Sequence, residues 1–199
     1  MVDGRRKTAD DWTEAALDVL LADGPDAVAV QPLARRLGTS KGSFYWHFAT
    51  RDDLLRAALT RWVQVATDDV ITAVDGAADD PGEKAKLLIA RVTASSSQHP
   101  GQLRLLAAAD HPDVRAALAT ATSRRIAYVA KLLRATGQPK AVAIRRATLA
   151  YATYLGHAQL AHTTPQVLPA TTRGRRDLLT ELTDVLLSPA TTCSSCATA

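Results

Sequence analysis

Apolar residues recur at helical spacing from near the start of this chain. Trp12, Ala16, Val19 and Leu20 follow one another at steps of four, three and one, so a single stripe of a helix faces inward. Thr8 and Asp11 stand just ahead of that stripe in the arrangement of a capping box, and Gly24 with Pro25 ends it. PLARRL comes next, with Leu33 and Leu37 one turn apart and Gly38 at the position of a left-handed cap. Ser40 is placed to cap a third helix running from Lys41 to Phe48, in which Phe44 and Phe48 form the buried pair. A fourth helix is predicted from about Thr50. Asp52 and Asp53 sit against the positive end of its dipole, and Leu54, Leu55, Ala58, Trp62 and Val65 form its inner stripe.

Beyond Gly76 the chain turns Ala-rich, and the pattern predicts helices near residues 83–97, 101–109, 112–135, 139–163 and 173–187. No segment alternates at period two for long enough to be a strand, so the fold class is all-α. The helix after Pro139 is apolar on several sides, carrying Ile144, Leu149, Leu155 and Leu160 on some and Ala147, Tyr151, Tyr154 and Ala158 on another. A helix with that pattern is expected to be surrounded. The last helix offers Leu178, Leu182, Val185 and Leu186 as a seam to bury against a second copy of the chain.

A composition that is 47% hydrophobic over 199 residues supports a real core in one domain or two small ones. No apolar run approaches the length of a membrane span, and MVDGRRKTADDW has charge without an apolar stretch behind it. The expectation is therefore a cytoplasmic protein with no membrane partner. Cys193 and Cys196 form a CxxC pair in a small, polar terminal segment, and residues 189–199 are expected to be a disordered tail with idle thiols.

The formal net charge is +4, yet the first 62 residues hold nine Lys or Arg against nine Asp or Glu. Total charge therefore says little about a partner, and placement says more. Arg5, Arg6, Lys7, Arg35, Arg36, Lys41 and Arg51 are separated along the chain from the acidic run at Asp10, Asp11, Glu14 and Asp18.

The stretch TSKGSFYWHF, residues 39–48, holds four aromatic rings in a chain otherwise poor in them. With Phe44 and Phe48 buried, its outward residues are Lys41, Ser43, Tyr45, Trp46 and His47, a set that a short helix exposes only if the rings meet something other than water. Helix, Gly-containing turn and helix form the helix-turn-helix arrangement, whose second helix enters the major groove of DNA. Each residue then has suitable chemistry. Thr39, Ser40 and the helix start meet a phosphate, and Gly42 lets the backbone approach. Lys41 and Ser43 reach base edges, Tyr45 and His47 donate to phosphate oxygens, and Trp46 packs on sugar or a thymine methyl. Arg5, Arg6 and Lys7 form either a minor-groove arm or a solvated terminus.

At these residues the chain closely resembles the TetR family of transcriptional repressors, most specifically over Trp12 to Leu59 in GTSKGSFYWHFATRDDLLRAAL and its surroundings. The resemblance implies a homodimer of about nine helices per chain. Residues 1–50 would be a helix-turn-helix DNA-binding domain, and residues 51–188 a helical effector-binding and dimerisation domain. Base contacts would fall on Lys41, Gly42 and Ser43, and backbone contacts on Thr39, Tyr45, His47 and Arg51. Ala29 departs from the pattern, because the family often has a Ser or Thr cap before helix 2; helix 2 then relies on Pro32 in its first turn.

The implied function is a ligand-responsive repressor that holds a palindromic DNA operator and is released by a small, mostly apolar effector. The change would pass through helix 4 toward a pocket wall near Trp62. Trp62, Tyr128, Tyr151, Tyr154 and His157 are the candidate pocket residues, since such cavities are apolar with a few polar groups. Leu149, Leu160, Leu178, Leu182, Val185 and Leu186 are the candidate dimer contacts. An all-helical enzyme or carrier is the rival reading. Against it, the chain shows no paired carboxylates, Ser/His/Asp set, metal-spaced cluster or phosphate-cradling glycine loop, so no catalytic residue, metal or cofactor is expected. A second rival is a regulator acting by protein contact alone, against which the intact residues 39–48 stand.

Overall fold

A computed structural model describes residues 6–96 and 101–188. Arg5, His99, both cysteines and the tail 189–199 lie outside them. The described residues form helices α1 (Ala9–Asp23), α2 (Val30–Arg36), α3 (Lys41–Phe44), α4 (Arg51–Val63), α5 (Asp69–Asp75), α6 (Pro81–Ser96), α7 (Gly101–Ala107), α8 (Pro112–Ala135), α9 (Lys140–Thr163) and α10 (Thr172–Leu187). Among these residues there is no strand, and the fold is all-α. None of the helices is long and apolar enough to cross a membrane.

The chain divides into two compact units, Met1–Val70 with His99–Thr122 and Ile71–Gln98 with Ser123–Ala199. In the first, α1 begins with the expected capping box: Thr8 Oγ1 accepts from the Asp11 amide at 3.2 Å, and Asp11 accepts from the Thr8 amide at 2.7 Å. Gly24 ends the helix at φ 91°. Ala29 gives α2 no side-chain cap. That helix closes in a Schellman arrangement, with the Thr39 amide on Ala34 O and the Gly38 amide on Arg35 O, and Gly38 at φ 63°. A residue with a Cβ is strained there. Trp12, Ala16 and Leu20 of α1, Leu33 of α2, Phe44 of α3 and Leu54, Leu55, Ala58 and Trp62 of α4 share one core. The Trp12 and Phe44 rings meet edge to face at 5.4 Å.

Two expectations for this unit are corrected. The third helix stops at Phe44 instead of Phe48, because the carbonyl of Phe44 accepts from both the His47 and Phe48 amides and tightens residues 45–47 into a turn. Val65 does not continue the inner stripe of α4. Residues Gln64–Asp68 form a π-helical turn, which shifts the phase, so Thr67 is buried and Val65 lies exposed.

The second unit is built from α6, α9, α10 and the later part of α8, with smaller clusters around Tyr128 and around Leu133, Ala143 and Leu186. Gln138 is buried there and donates through Nε2 to Leu186 O at 2.7 Å, while Arg146 reaches the same carbonyl at 3.1 Å. Together they tie the end of α10 to α9. The expectation that α9 is surrounded fails in the single chain: Ala143, Ala147 and Ala158 are buried, whereas Ile144, Leu149 and Leu160 are exposed.

Candidate nucleic-acid interface and effector cavity

The segment 39–48 is presented from behind by its phenylalanines. Phe44 is fully buried, and Phe48 stacks on it at 5.7 Å. With that anchor in place, Tyr45 and Trp46 are 57% and 75% exposed. Lys41 lies 6.0 Å from the Tyr45 ring. Lys41, Gly42 and Ser40 are exposed, and Thr39 and Ser43 are half-buried. Ser40 caps α3 by accepting from the Ser43 amide at 3.3 Å. The structure thus brings Ser40, Lys41, Gly42, Tyr45 and Trp46 together on one accessible surface.

The residues leading into α1 join this surface. The Arg6 guanidinium stacks 5.3 Å over the Trp46 ring, a cation–π contact. His47 Nε2 lies 2.8 Å from the Lys7 carbonyl oxygen; a carbonyl only accepts, so Nε2 carries the hydrogen. His47 therefore fastens the leading segment, in place of the free donor expected of it. Arg51 also takes a role the sequence did not disclose. Its Nε donates to Val28 O at 2.9 Å, another nitrogen donates to Pro25 O, and a third meets Asp52 at 3.1 Å. These bonds brace the loop before α2 and turn the guanidinium inward. No local pattern announces either contact, since the partners lie 40, 23 and 26 residues away.

The acids of α1 are kept in a groove of their own. Asp10, Asp11, Glu14 and Asp18 line it together with Arg36, which pairs with Asp18 at 2.6 Å. Glu14 is held by Arg61 at 2.6 Å. At the start of α4, Asp53 accepts from the Thr50 hydroxyl and from Arg56, and those bonds hold its carboxyl below the ordinary carboxylate value.

The second unit contains a cavity of about 560 Å³, within the range of small-molecule sites. His157 is the one candidate pocket residue that lines it, beside Ala161, Leu168 and Leu178. Burial pushes its imidazole toward the neutral form. The remaining candidates are placed elsewhere. Trp62 is buried in the core of the first unit. Tyr128 is buried with Val74 and Leu132, donates to Asp75 at 2.9 Å, and has its pKa raised by burial and by that bond. Tyr151 and Tyr154 make a tilted pair at 6.1 Å on α9. In place of aromatics, the cavity is walled by the Pro165 to Ala170 connection and the first turns of α10, which include Arg175 and Arg176.

Of the candidate dimer contacts, Leu149, Leu160, Leu178 and Val185 are exposed and Leu182 is half-buried. Leu186 leaves the set, being buried against Leu133 and Ala143 within its own chain.

The family model of bacterial regulatory proteins, tetR family, matches residues 13–58. YwcC of Bacillus subtilis (strain 168), an uncharacterized HTH-type transcriptional regulator, is 37% identical over 51 residues. That match covers 26% of this chain and 23% of the relative, so it spans less than a quarter of YwcC. A transcriptional regulator from Rhodococcus sp. Rha1 has the same fold, with a TM-score of 0.66 at 21% identity over 91% of this chain and 94% of that one. BioQ, solved with its double-stranded DNA operator, gives a TM-score of 0.52 at 21% identity over 91% of this chain and 98% of its own. Residues 13–58, which include the exposed segment 39–48 held on the α1–α4 core, thus match the TetR family of bacterial regulatory proteins, and the fold is shared with solved transcriptional regulators along nine-tenths of the chain.

Proposed function

We propose that the chain is a ligand-responsive transcriptional repressor that binds a palindromic operator as a homodimer and lets go when a small, mostly apolar effector occupies the cavity of its second unit. The observation that carries this reading is the α3 turn: a buried Phe44 holds exposed Lys41, Tyr45 and Trp46 where the major groove of a duplex can receive them. Lys41 and Ser43 read base edges, Gly42 allows the close approach, and Thr39, Ser40 and Tyr45 take phosphate oxygens. Trp46 with Arg6 packs on the sugar-phosphate strand. Arg51 and His47 position this surface from behind.

Two copies follow from the exposed apolar positions of α9 and α10, Leu149 and Val185 foremost, which a single chain leaves in water. A dimer places its readers in successive major grooves, about 34 Å apart. Effector binding need only favour a state with another spacing, since a tenfold loss of operator affinity is about 1.4 kcal/mol.

The test is footprinting and gel shift of the protein on the DNA upstream of its own and neighbouring genes, repeated across a salt series. A protected inverted repeat whose affinity drops steeply with salt is expected, because several phosphates are neutralised per dimer. Protection of no discrete site, or an affinity flat in salt, sinks the reading.

A further inference from the structure

We propose that the cavity of the second unit takes an aliphatic molecule ending in an anionic head, with Arg175 and Arg176 holding the head and Ala161, Leu168, Leu178 and Leu179 covering the body. This rests on the effector reading above and names the ligand class it leaves open.

The lining carries the argument. Arg175 and Arg176 both line the cavity, and no Asp or Glu is among the lining residues. Of their neighbours, Arg173 pairs with Asp177 at 3.9 Å. The half-buried His157 on the opposite helix is held toward its neutral form, so it offers a hydrogen bond and no competing charge. Guanidinium groups are the side chains best suited to bind carboxylate or phosphate oxygens in pairs. Apart from Thr93 and Thr172, the rest of the wall is apolar and matches a hydrocarbon body.

The placement of the arginines adds a second argument. The first turn of α10 contains no acid, whereas α1 carries Asp10 and Asp11 there and α4 carries Asp52 and Asp53. Cations at that end of a helix are disfavoured by its dipole, and an anion bound beside them removes the conflict. The wall is also tightly seated. Thr171 caps α10 by accepting from the Gly174 amide at 3.1 Å, and a Cβ at Gly174 would lie 2.9 Å from Pro169 Cβ. The connection and the arginine-bearing turn are thus fixed against each other before any ligand arrives.

Carboxylate and phosphate heads share this chemistry, and the experiment separates them. Full-length protein is titrated calorimetrically with octanoate, decanoate, decyl phosphate and decyltrimethylammonium, each below its micelle concentration. Decanoate is expected to bind about 16-fold tighter than octanoate, since each buried methylene contributes roughly fourfold. The cation should not bind, and comparison of decanoate with decyl phosphate identifies the preferred head. Arg175→Gln with Arg176→Gln should weaken the better anion at least tenfold at unchanged melting temperature, both side chains being exposed at the surface. Equal binding of the cation, full affinity in the double variant, or no binding of any anion overturns the proposal. Operator binding is measured separately. An anion that binds and leaves the operator complex intact refutes the effector role while the cavity assignment stands. A chain that binds operator but no anion refutes the assignment and leaves the DNA reader untouched.

Discussion

Replacing Lys41 by Ala separates base reading from charge attraction at the proposed interface. Lys41 is exposed, and its ammonium lies 6.0 Å from the Tyr45 ring, so its loss should change folding stability by no more than about 0.5 kcal/mol. A good base contact is worth about 1–3 kcal/mol. A dimer carries two, and distant sites add, which gives about 2–6 kcal/mol per operator. Even the lower figure is roughly a thirtyfold loss of affinity. If Lys41 instead met only phosphate, specific and scrambled DNA would weaken alike. The slope of log affinity against log salt would then shrink by about 1.8, or 0.9 for each of two contacts. Fluorescence anisotropy with operator and scrambled duplexes at several salt concentrations distinguishes the cases, with melting temperature as the control. Unchanged operator affinity, or an equal loss on both duplexes, refutes the assignment of Lys41 to a base edge.

Arg51→Met leaves the Val28 and Pro25 carbonyls without their donor and should cost about 1–3 kcal/mol in urea unfolding; an unmoved midpoint would show that the brace is idle. Leu149→Asp and Val185→Asp fall on side chains 64% and 67% exposed. Each should turn a sedimenting dimer into a monomer of unchanged helical content, and a dimer persisting in both variants would place the interface elsewhere. His157 has its pKa lowered by burial from the ordinary 6.5. Below that value the unfolded chain takes up a proton that the folded chain resists, so stability falls as pH drops from about 6.5. His157→Gln should flatten that slope, and an identical pH profile would discard the argument.

What the sequence disclosed was local. Thr8 with Asp11, the acids Asp52 and Asp53 in the first turn of α4, the left-handed Gly38 and the Ser40 cap each involve residues at most a few positions apart, and their geometry follows from backbone rules alone. Phe44 as anchor followed from its spacing within a short amphipathic helix. The failures are matters of distance or of phase. Arg51 and His47 bond to carbonyls far back in the chain, which no window of sequence can foresee. Val185 and Leu186 are adjacent on α10, yet one is exposed and the other buried, and hydrophobicity alone cannot rank them. Trp62 and Tyr128, aromatics of the kind that line cavities, are large enough to be taken into the cores. The space was left instead beside a proline-bounded connection, whose composition reads simply as a loop.

The π-helical turn at Gln64–Asp68 is in effect a surplus amino acid absorbed without breaking the rod that runs from Arg51 to Asp75. A deletion of one residue there would restore ordinary winding and leave the later side chains on their present faces, whereas a deletion within ordinary winding turns everything after it by about 100°. Val74, buried in the second unit, would keep its neighbours in the first case. Length at this spot is therefore free to change by one: kin a residue shorter here can keep the same apolar positions on either side and show a single gap when sequences are laid side by side.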